Sequence, residues 1–452
     1  MSFGRSNNDE TNSDINCDSP KGIMDFLTYK VEAVYTFRDR YFENHSFDDA
    51  IHKNDDVKKL LDETLEIFEE NEAAAMQNNK ARYYYLRGRL LNVVPMYCKE
   101  AENLLSKAIK LDRKLVEAWN ELGECYWKND ELKKSINCFE GALKERKNKV
   151  SLRNLSMLSR QDVPNSKADY TAHVEKGLNY AKEAVQMDPH DGLSWSVLGN
   201  AHLSYFFGVQ QNPKILRQCI SAYSQAEKDI VARSTPDLHY NKGITLRYKE
   251  EFKEALESFN QASLYDSTWE PPKKREQQLV KYLNDVVELV TTKGKLKTKK
   301  LQSLLSSIEA KQLGPYLEDT KNIVTGENRK LVKVNVKDLI PGLNELKVLL
   351  GKVVCSVRNE DTVPFTFCLL DENGDCIVVT IFNLADGRGV IIGDSVAIPE
   401  PFVKIVDFTY KSVRYNFKLL RVESPLLLAV NGKLLQRNQA AGVQMSIFKK
   451  CD

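Results

Sequence analysis

The sequence predicts an α+β multidomain chain, with an all-α repeat solenoid followed by a small C-terminal β-barrel. Three observations carry this. A helical motif is written twice: Trp119, Leu122, Gly123 and Tyr126 stand at positions 4, 7, 8 and 11 of one helix, and Trp195, Leu198 and Gly199 repeat the spacing in another. That is the tetratricopeptide pattern, whose period is about 34 residues. Ala101, Leu105 and Ala108 recur one period later as Ser135, Phe139 and Ala142, small residues that let two helices approach and a bulky one that fills the space between repeats. Finally, Asn373-Gly374 sits between two apolar runs, 363–370 and 376–382; that dipeptide favours the tight turn whose twist matches paired strands.

The elements follow in order. Residues 1–22 are rich in Asn, Asp and Ser, without the apolar core of a signal peptide, and read as a disordered tail. From Ile23 to about Ala75, apolar residues at helical spacing predict two amphipathic helices capping the array. The first repeat carries Tyr85 and Gly88. The third is degenerate, with Leu152, Leu155 and Ser156 in place of Trp, Leu and Gly, and a polar stretch from Gln161 to Thr171 follows. The fourth contains an insertion, Phe206 to Lys214, and the fifth runs from Pro236 through Gly243, Ala255, Phe259 and Ala262. A last helix, Lys273 to Thr292, is expected to cap a solenoid spanning 23–292. Residues 293–334 read as a basic linker, 335–435 as an OB-type barrel of about five strands (348–357, 363–370, 376–382, 395–398, 415–422), and 436–452 as a tail.

Composition narrows the function. The 452 residues are 42% hydrophobic and 28% charged with a net charge of +2, so affinity for nucleic acid or membrane must be local. No apolar run approaches the ~18 residues of a membrane span. Nine scattered cysteines without a C-x-x-C pair point to a reducing compartment, with Cys125 and Cys138 as small core residues. The six histidines have no metal-binding spacing, and Gly387 to Gly393 is one residue too long for a dinucleotide fingerprint and lacks its strand-turn-helix context. No enzyme, cofactor or metal is expected.

Repeat register names the groove. Positions 2, 5, 9 and 12 of each first helix line the concave face of such arrays, which selects Val150, Arg153, Met157 and Arg160 in the third repeat and Asp237 and Tyr240 in the fifth. Arginines and a methionine suit an acidic and an apolar ligand side chain, and an aspartate suits a basic one; solvated surface charge is the alternative. A clamp for a C-terminal carboxylate is disfavoured by Glu117 and Glu124, which share the second repeat's groove positions with Asn120 and Trp127, although Arg82 and Arg89 of the first repeat are basic. Lys293 to Lys300 is either a solvated linker or a phosphate-contacting patch that reads no sequence. Phe365, Phe367 and Phe382 fit core or protein contacts better than base stacking, because charge in this region nearly balances.

Residues 147–157, 211–214, 236–239, 299–303, 363–367 and 391–401 carry a closer likeness. Through them, roughly residues 25–435 resemble the tetratricopeptide repeat protein 5 (Strap) family. The resemblance implies a ribosome-associated adaptor in tubulin autoregulation: a reader of the Met-Arg-Glu start of nascent α- and β-tubulin at the exit tunnel, which brings an mRNA-decay adaptor and deadenylase complex to the translating message. The family's peptide-binding arginine falls on Arg160 and its aspartate on Asp237, pairing with the peptide Glu and Arg, while Met157 and nearby apolar surface receive the initiator Met. A further groove glutamate follows Trp269 in the order Pro-Glu in the family; here the order is Glu270-Pro271, with Glu270 in its place. The family's ribosomal-RNA contacts fall within Lys295, Lys297, Lys299 and Lys300. The resemblance also implies a second role as a stress-responsive nuclear cofactor scaffolding an acetyltransferase coactivator, hence both cytoplasmic and nuclear location and no membrane.

Overall fold

A computed structural model describes residues 20–161, 167–317, 320–321, 328–360, 364–385 and 387–440. The expected tails lie largely outside these residues, as do 162–166 of the polar stretch. Helices α1 (Pro20–Asp39), α2 (Lys53–Glu70), α3 (Glu72–Leu91), α4 (Lys99–Leu111), α5 (Val116–Lys128), α6 (Leu132–Glu145), α7 (Lys149–Gln161), α8 (Lys167–Met187), α9 (Gly192–Gly208), α10 (Pro213–Ala226), α11 (Ile230–Arg233), α12 (Pro236–Tyr248), α13 (Phe252–Tyr265), α14 (Glu270–Thr291) and α15 (Thr298–Leu305) precede the sheet. Two compact units divide the chain: one holds residues up to Asn241 together with Gln261–Trp269, the other Lys242–Asn260 and everything from Glu270 onward.

The repeats are the pairs α3/α4, α5/α6, α7/α8, α9/α10 and α12/α13, and the glycine at position 8 explains their closeness. A Cβ on Gly123 would lie 2.7 Å from the Phe139 ring, on Gly199 2.5 Å from the Tyr223 ring, and on Gly243 2.7 Å from the Phe259 ring. These three helix pairs therefore dock an aromatic face onto bare backbone, and a methyl group there would force the ring out. The position-4 indoles tie each helix to the turn before it, Trp119 Nε1 donating to the Arg113 carbonyl at 2.9 Å and Trp195 Nε1 to that of Pro189 at 2.8 Å. The degenerate repeat keeps its packing, since Leu152, Leu155 and Ser156 are buried. The insertion of the fourth repeat begins as extra helix: α9 runs on to Gly208, where a Cβ would meet the Tyr170 ring of α8 at 2.6 Å. The polar stretch and the insertion thus pack on each other.

In the second unit, β1 (Thr320–Lys321) pairs with β2 (Asn328–Arg329), and the barrel uses β3 (Val332–Val334), β4 (Gly342–Leu343), β5 (Lys347–Val357), β6 (Phe365–Leu370), β7 (Cys376–Ile381), β8 (Ser395–Pro399), β9 (Phe402–Tyr410), β10 (Val413–Val422), β11 (Ala429–Val430) and β12 (Lys433–Leu434). The order β8-β5-β6-β7-β10-β9 closes because β8 and β9 are two halves of one strand, bent at Glu400-Pro401, where Glu400 has φ +43. One half pairs with β5 and the other with β10, while β7 and β10 run parallel. The expected fourth strand, 395–398, is therefore too short; it continues to Tyr410, and the expected fifth strand starts at Val413. Inside lie Leu349, Val353, Phe367, Val379, Ile398 and Leu420. Phe367 and Phe382 are fully buried, which removes them as base-stacking platforms.

This unit contains more than the barrel. Glu250, with φ +60 in the α12–α13 turn, accepts from Thr380 Oγ1 at 2.7 Å and pairs with Arg421 at 3.1 Å. Arg421 also donates to the Tyr248 carbonyl at 2.9 Å and lies 3.9 Å over the Phe382 ring. From α14, Glu276 accepts from Tyr410 at 2.8 Å, and the Tyr282 hydroxyl meets Thr366 at 3.2 Å. Within 293–334, expected as linker, Lys293–Lys295 forms a 3-10 turn, α15 follows, and Gly294 (φ +72) sits against Val354 and Cys355 of β5.

Candidate peptide-binding groove

Arg160 occupies the last turn of α7 and Asp237 the first turn of α12, so repeat geometry brings residues far apart in sequence to one face. The charges sense each other, yet among the described residues neither is answered by a close counter-ion. Arg160 donates to Ser156 Oγ at 3.3 Å, and the Asp237 carboxylate lies under the influence of the backbone N–H groups of its own first turn, at Asp237 and Leu238. Burial dominates both. It pulls the Arg160 guanidinium down to about 10 against the raising influence of Tyr223 and Asp237, and it lifts Asp237 above its ordinary range against those N–H groups and Arg160. A charge partly stripped of water without a partner is costly, and a ligand of opposite charge relieves that cost. The arrangement suits a segment with one basic and one acidic side chain.

Met157 is half-buried against Leu178, Val185, Val197 and Leu198, an apolar shelf on the same helix as Arg160. Arg153 is engaged elsewhere: its Nη1 lies 2.6 Å from Asp191, the residue that caps α9 through the Ser194 N–H. Tyr240 is buried with its ring 4.9 Å from that of Trp269, so it forms wall. Glu270 is exposed at the start of α14, 3.9 Å from Lys273, in the other unit. Lys295 pairs with Glu288 at 2.7 Å, whereas Lys297, Lys299 and Lys300 are exposed around the start of α15.

Sequence reasoning missed Asn200 and Tyr223. Asn200 stands at position 9 of the fourth repeat and could have been counted; Tyr223 could not, because the insertion displaces it from the place where Phe139 and Phe259 stand in their repeats. The N-terminal half of the groove is self-satisfied. Arg89 pairs with Glu32 and, at 3.2 Å, with Glu121, and Lys128 donates to the Asn92 and Val94 carbonyls. Arg82 reaches Thr28 at 3.2 Å and Glu117 pairs with Arg146 at 2.5 Å. Among the described residues no group of three His, Cys, Asp or Glu side chains could hold a metal, and no helix is long and apolar enough to cross a membrane.

Fold and groove define a class: a tetratricopeptide-repeat protein of the adaptor type carrying a C-terminal OB-fold domain. Residues 116–149 match the tetratricopeptide repeat family, and residues 330–444 match the family described as the tetratricopeptide repeat protein 5 OB fold domain. Tetratricopeptide repeat protein 5 of Homo sapiens is 47% identical over 433 residues, covering 96% of this chain and 98% of that protein. Those of Mus musculus and Bos taurus are 46% and 45% identical over the same shares of each chain. The chain belongs to the tetratricopeptide repeat protein 5 family.

Proposed function

We propose that this protein reads the N-terminal Met-Arg-Glu segment of nascent α- and β-tubulin at the ribosome and thereby triggers decay of the translating mRNA. The observation that carries the reading is the pair Arg160 and Asp237, one cation and one anion desolvated on one groove face without close counter-ions. A ligand Glu meets Arg160 and a ligand Arg meets Asp237, while the Met157 shelf takes the initiator Met. Such a peptide is too small for high affinity on its own. Lys297, Lys299 and Lys300, exposed and close in sequence, supply a second contact to ribosomal RNA that raises the effective concentration of the groove at the exit tunnel. The mRNA-decay adaptor and deadenylase complex would then be recruited by the ribosome-bound protein. The test is site-specific crosslinking to ribosomes carrying stalled tubulin chains. Wild type is expected to crosslink to Met-Arg-Glu chains and not to Met-Ala-Glu chains, and Asp237→Ala to neither; equal crosslinking to both chains would reject the reading.

A further inference from the structure

Asn200 lies on the groove-lining side of α9 and is only 6% exposed. Its Oδ1 accepts two hydrogen bonds, from the Tyr223 hydroxyl at 2.7 Å and from Asn241 Nδ2 at 3.0 Å. Two donors on one oxygen fix the amide orientation, so that the oxygen is held by the protein and Nδ2 carries both of its N–H groups on the other side. Among the described residues Nδ2 has no acceptor, and it keeps some solvent exposure. Tyr223 cannot move to change this, since its ring is fully buried against Gly199. The Tyr223 hydroxyl also feels the charges of both Arg160 and Asp237, so the Tyr223–Asn200 pair lies within electrostatic reach of the two charged side chains.

We infer that Asn200 is the main-chain clamp of the groove: its Nδ2 donates to a backbone carbonyl of the bound peptide, between the side chains taken by Arg160 and Asp237. The inference rests on the peptide-reading function above and adds what two charges alone cannot supply. A guanidinium and a carboxylate recognise a basic and an acidic residue in either order; a fixed amide donor between them sets the chain in one register and direction, so Met-Arg-Glu is distinguished from Met-Glu-Arg. Water satisfies that donor in the free groove, and a peptide carbonyl takes the water's place on binding.

The test uses the full chain and a labelled Met-Arg-Glu-Ile peptide. Asn200→Asp keeps an oxygen for Tyr223 and Asn241 while removing the donor; affinity is expected to fall at least about tenfold, and discrimination between Met-Arg-Glu-Ile and Met-Glu-Arg-Ile is expected to vanish. Because the substitution adds a charge, a second peptide carries an ester in place of the Arg-Glu amide, which weakens that carbonyl as an acceptor. The ester is expected to cost wild type several-fold and Asn200→Asp nothing further. If Arg160→Ala and Asp237→Ala abolish binding while Asn200→Asp binds like wild type, or if the ester costs both proteins equally, the clamp is wrong and the peptide-reading function stands. If wild type does not bind Met-Arg-Glu-Ile, both fall together.

Discussion

The two ends of the groove use charged side chains of the first helices for opposite purposes. At the N-terminal end, Arg89 is locked by Glu32 and Glu121, and Lys128 by backbone carbonyls, so these charges are spent on holding α1, α3 and α5 together. At the other end, Arg160 and Asp237 are as deeply desolvated but not directly paired. A groove arginine is therefore structural where its counter-ion comes from the same chain, and open to a ligand where the described residues supply none. Register alone, which treats Arg89 and Arg160 alike, does not make that distinction.

The largest expected effect breaks the comparison at its structural end. Arg89→Ala strands the buried Glu121 and should destabilise the protein by about 3 kcal/mol in chemical denaturation, with no change in peptide affinity per folded molecule. At the open end the pattern reverses. Arg160→Ala and Asp237→Ala should each weaken Met-Arg-Glu binding by about 1.5–3 kcal/mol, roughly 10- to 100-fold by fluorescence titration, with the fold as stable as before or more so.

Acidity separates the two ends further. Burial, reinforced by Glu124, lifts Glu121 to about 7 from the ordinary 4.5 of a glutamate. Between those values the folded state holds a proton that the unfolded chain has lost, so stability should decline as pH rises through that window and level off above it; Glu121→Gln should flatten the slope in urea melts at stepped pH. Asp237 is also raised, but a bound cation needs it ionised. Peptide affinity should thus fall on acidification, starting at higher pH than the ordinary 3.8 of an aspartate would give, and Asp237→Asn should leave the residual affinity indifferent to that change. The smallest effect on the fold belongs to Lys297, Lys299 and Lys300. Their joint replacement by Ala should shift stability by no more than about 0.5 kcal/mol and leave peptide binding intact, while reducing ribosome cosedimentation and its dependence on salt.

Much of this was legible in the sequence, because a repeat carries its own ruler. Trp119, Gly123, Trp195 and Gly199 set the register, and the register led to Arg160, Met157 and Asp237. It misjudged partners, which are tertiary facts: Arg153 belongs to Asp191, and Tyr240 to Trp269. It overlooked Asn200, an uncharged residue whose role depends on Tyr223 and Asn241 fixing its amide. In the barrel, the Asn373-Gly374 turn announced itself, whereas the β9–β10 turn did not. It is made by Lys411 and Ser412, both at positive φ without a glycine or asparagine to signal it, so the second half of the bent strand was lost. The docking of Glu250 onto Thr380 and Arg421 leaves no local trace at all, since it joins residues more than a hundred positions apart.

The central claim is that two unpaired groove charges read a short peptide. Its most direct test is a titration of fluorescent Met-Arg-Glu-Ile against the purified chain, with Met-Ala-Glu-Ile as control and Asp237→Ala as the matched variant. The account predicts saturable binding of the first peptide to wild type, at least about tenfold weaker binding of the control, and no preference between the two in Asp237→Ala. Equal affinity of folded wild type for both peptides, or an undiminished preference in the variant, would contradict it.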